Sequence, residues 1–409
     1  MFQLLRTNRP VRAWLALPLL ILLLAGCTKS KEPEKPPFEG RITLWTSLEL
    51  AGHPARLEEG WLEERSRAFS DQRKGITVEI RHFPTGEELE RALLESSERP
   101  DLALGRALPL PADRLAALPL KPELVSDHPE AALIPYRRGQ ALAGLPLLLD
   151  LQVLALNEPL FAARGIPLPG ESWGDPEVAD ILSKITGNEV FAIGFSVAPG
   201  YHQWWPLTGS LFDWHGVAPG GQAGLDRLAG WRRAYLHPDL ATLTAEESYR
   251  LFAEGKIAML PVSTWAIPLL REEPFRASFR VAPFPGRQNL GYAYGIVALE
   301  GAQSEEKRAA MADLVSFLAA ADQQVRLARK TGLMPARTSA PNPFEGDGAM
   351  SRAFQLRGDF KPLPAGPAWD AAQPAIAHEL LLALYGGKRP QEVLAAVKTH
   401  LNVATTPAK

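Results

Sequence analysis

The segment from Gly144 to Gly165, GLPLLLDLQVLALNEPLFAARG, constrains this chain more than any other. Gly144 and Pro146 mark a turn, and Leu147 to Leu156 is then apolar apart from Asp150 and Gln152. The run falls short of the ~20 residues needed to span a bilayer, but it suits a strand buried on both faces. Asn157 ends it. Glu158 to Arg164 reads as a short helix, with an acid at its start, Pro159 in its first turn, Arg164 near its end and Gly165 as its stop. The carboxylate inside the strand is the anomaly. An unpaired buried charge is costly, so Asp150 must meet hydrogen-bond partners or a wet cavity. A structural role and a cleft-lining role are both open to it.

The amino terminus is of a different kind. Arg6, Arg9 and Arg12 form a positive leader, Ala13 to Leu23 an apolar core, and Leu24-Ala25-Gly26-Cys27 a small-residue cleavage site ending in cysteine. This pattern predicts a lipoprotein signal peptide over residues 1–26, with Cys27, the only cysteine, as the acylated residue. The mature protein is then extracytoplasmic, in the periplasm or at the cell surface, and held to the membrane by lipid without a disulfide. Removing the signal takes three arginines and no acid, so the net charge moves from −2 to −5. That mild acidity argues against nucleic acid as a partner. Residues 27–38 hold the lipid and a charged, proline-bearing spacer, TKSKEPEKPP, that cannot bury apolar surface.

The chain's 409 residues leave room, beyond the spacer, for two domains with substantial cores. Arg41 to Thr46 reads as a strand, Leu57 to Phe69 as an amphipathic helix, Ile76 to Phe83 as an alternating strand, Gly86 to Ser97 as a helix and Pro100 to Gly105 as a buried strand. Strand–helix alternation predicts an α/β lobe with a mainly parallel sheet. A short helix is expected near Asp113 to Leu118. Ser172 is the expected N-cap of a helix opening at Trp173-Gly174-Asp175, and Phe191 to Ser196 the next strand. Tyr201 to Gly216 reads as a helix and turn, and Leu225 to Tyr235 as a helix. Helix, Gly255, strand Ile257 to Val262 and a Ser-Thr turn follow. Strands are expected at Arg280 to Phe284 and Tyr292 to Leu299. One helix is expected from Glu305 to Arg329, and terminal helices at Met350 to Leu356, Ala371 to Leu384 and Pro390 to Leu401.

Several of these segments, in order, resemble extracellular solute-binding proteins of carbohydrate ABC transporters, family 1. The Gly144–Gly165 stretch resembles that family's "GxPxxxDxxxLxYN, LF, G" crossover, except that Ala155-Leu156 stands where a tyrosine pair is common. PDLALG, SWGD, LTGSLFDWHG, APFPG, GIVAL, GLMPARTSA and WDAAQPAIAHELLLALYGGKRPQEVLAAV each resemble a family segment. YRLFAEGKIAMLPVSTW is the most specific of them. The resemblance implies an α/β, two-lobed periplasmic-binding-protein fold of type II, with discontinuous lobes joined by a hinge. Lobe one is expected over 39–147 plus 292–345 and lobe two over 148–291 plus 346–403. It implies a monomer that captures a sugar-like small-molecule solute between the lobes and passes it to ABC transporter permease subunits.

A saccharide site needs flat aromatic faces for ring stacking and polar groups for hydroxyls. Trp45, Thr46 and Ser47 end the first strand, where open α/β sheets bind ligands. Asp150 is expected to face the cleft, Trp265 to stack as a family tryptophan does, and Trp205 to reach the cleft from its helix. Tyr292 and Tyr294 share a strand face, and Arg337 is placed to hold a hydroxyl or acidic group. Trp61, Trp173 and Trp231 read as packing. Neither a cofactor nor a metal is expected, since the eight histidines lack metal-site spacing and no phosphate loop is present. Gly194-Phe195-Ser196-Val197-Ala198 misses the G-x-S-x-G elbow at its last position, so Ser196 is not expected to be a nucleophile and the chain is not expected to be an enzyme. A surface glycan-active enzyme or a ligand sensor on the same fold are the alternatives.

Overall fold

The computed structural model of the chain describes residues 37–47, 60–106, 110–170, 173–187, 189–197, 203, 221–285, 289–301, 303–363 and 367–405. Its first elements follow the predicted alternation: β1 (Gly40–Ser47), α1 (Trp61–Gln72), β2 (Ile76–Phe83), α2 (Gly86–Glu95) and β3 (Leu102–Arg106). β1 lies between β2 and β3 and is parallel to both. Each helix forms for a local reason. Trp61, Leu62 and Phe69 give α1 one buried stripe, and Thr85 caps α2 by accepting the Glu88 amide at 3.1 Å.

After β3 the expected helix at Asp113 to Leu118 is instead one 3-10 turn, Ala112–Arg114. Leu115 bridges to Leu299 and the Ala116 amide donates to the Ala298 carbonyl at 2.9 Å, so this backbone is satisfied by the sheet. Two short helices, α3 (Pro122–Ser126) and α4 (Glu130–Leu133), and a hairpin of β4 (Arg137–Arg138) and β5 (Ala141–Leu142) lead into β6 (Gly144–Asn157). Every residue of β6 is buried. Asn157 both ends it and caps α5 (Glu158–Ala163), its side chain accepting the Leu160 amide at 3.2 Å.

The chain continues through α6 (Asp175–Ile185), β7 (Phe191–Ile193), α7 (Gly221–Ala234), α8 (Ala245–Ala253), β8 (Ile257–Ser263), α9 (Ala266–Arg271), β9 (Phe279–Ala282) and β10 (Asn289–Ala298). It ends with α10 (Glu305–Leu318), α11 (Ala321–Thr331), β11 (Met334–Pro335), α12 (Gly348–Leu356), β12 (Phe360–Pro362), α13 (Pro367–Leu384) and α14 (Pro390–Thr405). β6 organises the sheet. From Gly144 to Leu151 it pairs with β10 and β11, and from Gln152 to Asn157 with β8 and β9. The sheet order is β2-β1-β3-β10-β6-β8-β7. Its flanks are parallel but its centre is antiparallel, because β6 carries the chain across and β10 carries it back.

Three further expectations change. Gly174, not Ser172, caps α6, its amide donating to Glu177 Oε2 at 3.1 Å; Ser172 lies outside the described residues. β7 stops at Ile193, since the Ser196 amide donates to the buried Gln203 side chain at 2.6 Å instead of a neighbouring strand. The single helix from Glu305 to Arg329 is two, broken at Ala319-Ala320. Long-range bonds turn α11: Gln323 Oε1 accepts Trp61 Nε1 at 3.1 Å, and Gln324 Oε1 accepts the Arg337 amide at 2.8 Å. The Tyr201–Gly216 segment, apart from Gln203, the signal peptide and most of the spacer lie outside the described residues.

Candidate functional site

Strand register fixes which side chains can meet. On the β6–β10 ladder Asp150 is opposite Tyr292 and Leu148 opposite Tyr294; on the other edge of β10, Arg106 of β3 is opposite Tyr294. Partners across a ladder share a sheet face, as do residues two apart along a strand. Asp150, Gln152, Tyr292, Tyr294 and Arg106 therefore occupy one face. Ser263, opposite Gln152 on β8, joins them. So does Thr46, whose β3 partner Leu104 lies two residues before Arg106. Trp45 and Ser47 fall on the reverse face.

Asp150 is enclosed at 3% exposure. Ser263 Oγ donates a short hydrogen bond to its Oδ1, and Thr264 Oγ1 donates to the same oxygen at 3.3 Å. The Thr264 amide donates to the Leu151 carbonyl at 2.9 Å, which fixes that turn against β6. Burial pushes the Asp150 carboxyl up to about 7, against those hydrogen bonds, which favour its ionised form. Gly291 makes the neighbouring ladder possible: a Cβ there would lie 1.8 Å from the Asp150 carbonyl oxygen.

Arg106 ends β3 under a ring of partners. Its guanidinium lies 4.9 Å from the centre of the Tyr292 ring, forms a short ion pair with Asp370 of α13 and lies 3.7 Å from Glu90 of α2. Burial alone would lower the Arg106 pKa, but Tyr292, Asp370 and Glu90 raise it, so the guanidinium stays charged. Burial pushes the Glu90 carboxyl up, with Arg106 opposing. Trp369, fully buried beside Asp370, donates from Nε1 to the Tyr292 hydroxyl at 3.2 Å. Burial likewise raises both tyrosines, which remain phenols and hydrogen-bonding groups.

Some buried polar atoms on this face have no hydrogen-bond partner among the described residues: Thr46 Oγ1, Arg106 Nε and Gln152 Oε1. Each such atom costs roughly 1–3 kcal/mol while unpaired, and others of the kind lie elsewhere, among them Glu63 Oε2, Arg65 Nε and Ser66 Oγ of α1.

The other predicted residues take different places. Trp45 packs on Phe83 with ring centres 5.3 Å apart, and the Arg81 guanidinium covers its face at 4.8 Å. Ser47 is buried beside it along the strand. Trp265 follows Thr264 into α9, buried, with Gly332 against it in a left-handed turn (φ 71°) where a Cβ would lie 3.2 Å from the Trp265 Cα. Arg337 is committed elsewhere: its Nε donates to Asp127 Oδ2 at 2.6 Å, within a clamp to which Thr338 and Ser339 also donate. Burial raises the Asp127 pKa, but the clamp outweighs it and holds the carboxyl well below the usual range. Trp205 and Cys27 lie outside the described residues. Trp61 and Trp173 are buried as packing residues, Trp173 donating to the Pro283 carbonyl at 3.0 Å, while Trp231 is half-buried.

Sequence reasoning missed Arg106, Glu90, Trp369 and Asp370. A signal for Arg106 existed, since a charge closing a buried strand is the same anomaly as Asp150. Among the described residues no cluster of His, Cys, Asp or Glu has the form of a metal site, and no helix is long and apolar enough to cross a membrane.

Comparison with known proteins adds three findings. Residues 64–353 match the family model described as bacterial extracellular solute-binding protein. A Streptomyces antibioticus protein described as an uncharacterized lipoprotein is 27% identical over 366 residues, covering 80% of this chain and 77% of that protein. Among solved structures, a cyclo/maltodextrin-binding protein complexed with maltotetraose superposes with a TM-score of 0.70 at 16% identity, covering 92% of this chain and all of its own. The sugar-binding protein MalE of Xanthomonas citri gives 0.69 at 16%, covering 88% and 97%. These likenesses establish a mixed α/β binding-protein fold of two lobes.

Proposed function

Since the chain belongs to the bacterial extracellular solute-binding protein family, we propose that it is a lipid-anchored, extracytoplasmic receptor that captures a carbohydrate-like solute between two lobes and delivers it to an ABC import permease. The observation that carries the solute class is the set of unpartnered buried polar atoms, Thr46 Oγ1, Arg106 Nε and Gln152 Oε1, on the sheet face that also bears Asp150, Tyr292 and Tyr294. A saccharide has the complementary surface, with hydroxyls that donate and accept around an apolar ring face. The lobes meet where β6 changes partners, between Leu151 and Gln152, and close around the solute by a population shift from open to closed. Acylation at Cys27 supplies the anchor, in keeping with the lipoprotein description of the Streptomyces relative.

The test is thermal unfolding of the mature chain, carrying Cys27→Ser to keep it unacylated, against a panel of mono- and oligosaccharides and polyols, with the solute recovered afterwards. At ~100 times its dissociation constant a true ligand adds about 2.7 kcal/mol, a shift of several degrees. The proposal requires such a shift with the solute unchanged. Consumption of the solute would replace it with an enzyme, and a flat panel would remove the carbohydrate assignment. For the anchor, Cys27→Ala in the full chain is expected to move the protein from the membrane to the soluble fraction.

A further inference from the structure

Guanidinium forks match phosphate and carboxylate groups, so the state of an arginine near a solute site bears on whether that site takes an anion. Arg106 is the guanidinium on the face that bears Asp150. It is already matched by two carboxylates, Asp370 through a short ion pair and Glu90 at 3.7 Å, and its flat face lies over the Tyr292 ring. Arg337, the arginine that sequence pointed to, is held by Asp127 at 2.6 Å. Asp150 adds a third carboxyl on the same face with hydroxyls, not a cation, as its partners. Carboxyl groups therefore outnumber the guanidinium, with Glu90 and Asp150 buried, where charge interactions are screened far less than in water, and Asp370 partly exposed.

We propose that the site discriminates by charge: it accepts uncharged and amine-bearing sugars and rejects phosphorylated and carboxylated ones, with Glu90 and Asp370 setting that preference by neutralising Arg106. This rests on the reading of this face as the solute site. Both carboxylates meet Arg106 at Nη2 and offset its charge, and its Nε, without a partner among the described residues, is a donor suited to a neutral hydroxyl. The Tyr292 ring on this face already accepts positive charge from Arg106, and the surplus of carboxyl groups favours an ammonium over an anion.

The test is titration calorimetry on the unacylated mature chain with matched sets on one ring: glucose, glucosamine, glucuronate and glucose 6-phosphate, then the same set on galactose and on mannose. Within the ring that binds, the neutral and amino sugars are expected within about threefold of each other and both anionic forms at least tenfold weaker. Asp370→Asn, alone and with Glu90→Gln, releases Arg106 and is expected to raise affinity for the anionic sugars relative to the neutral sugar by at least tenfold. Melting curves accompany the variants, and the single substitution stands if the double one does not fold. An anionic sugar that binds the unaltered face as tightly as its neutral counterpart overturns charge selection and leaves solute capture standing. Variants that fold but gain nothing for anions overturn the roles of Glu90 and Asp370. Failure of every ring to bind overturns this inference for monosaccharides, and solute capture falls only if the wider panel of oligosaccharides and polyols is flat as well.

Discussion

At the scale of single residues, Asp150 is where fold and function compete. Its carboxyl is carried from an ordinary value of 3.8 to about 7 by burial. A folded-state pKa raised above the unfolded one means that the folded protein holds its proton longer. The stability this contributes is complete below about pH 4 and is lost as pH rises to about 7. At 1.36 kcal/mol per pH unit the whole loss is about 4 kcal/mol, and the part between pH 5 and 8 about 2–3 kcal/mol. Asp150→Asn should therefore flatten the fall in stability between pH 5 and 8, measured by denaturant unfolding; parallel curves for the two proteins would contradict this. Gly291 is as sharply determined. Gly291→Ala puts a methyl 1.8 Å from the Asp150 carbonyl and should cost about 3 kcal/mol as the central ladder is forced apart. The anomaly at Asp150 was legible in sequence because a charge interrupted an apolar run. Glu90 was not, because on an amphipathic helix it has the pattern of a solvated acid, and its partner Arg106 lies on a different element. Trp45 shows another limit: its position at the end of β1 was readable, but its face depends on register with β3, which no local pattern encodes.

Elements were more legible than their ends. Capping residues, apolar stripes and alternation placed β1, β2, α2, β6, β8 and the terminal helices, since each draws on neighbours within a few residues. The break between α10 and α11 was invisible because its cause is non-local. Gln324, fully buried, donates to the Ala319 carbonyl at 3.2 Å and the Pro146 carbonyl at 3.4 Å, and accepts the Arg337 amide. It ties the second helix to β6 and to the segment after β11. Gln324→Leu keeps the volume but leaves those backbone groups unpaired, and should destabilise by about 2–3 kcal/mol in equilibrium unfolding. A change under about 0.5 kcal/mol would show that the break has another origin.

For the whole molecule, the decisive feature is that one strand serves two sets of partners. β6 joins β10 and β11 in its first half and β8 and β9 in its second, and β10 returns beside it, so the face proposed to hold the solute lies where both crossings meet. The crossover was legible through its resemblance to a known family. The antiparallel centre of the sheet was not, because strand direction follows from the return path and not from residue pattern. If that face takes the solute, Thr46 separates its binding role from folding. Its hydroxyl is buried and unpartnered among the described residues, so Thr46→Val removes an unsatisfied polar atom without removing bulk. The measurement is the affinity of the sugar identified by thermal shift for the unaltered protein and for Thr46→Val, with unfolding free energy measured beside it. The account predicts unchanged or higher stability together with at least a tenfold loss of affinity. Unchanged affinity in a protein that folds normally would contradict it.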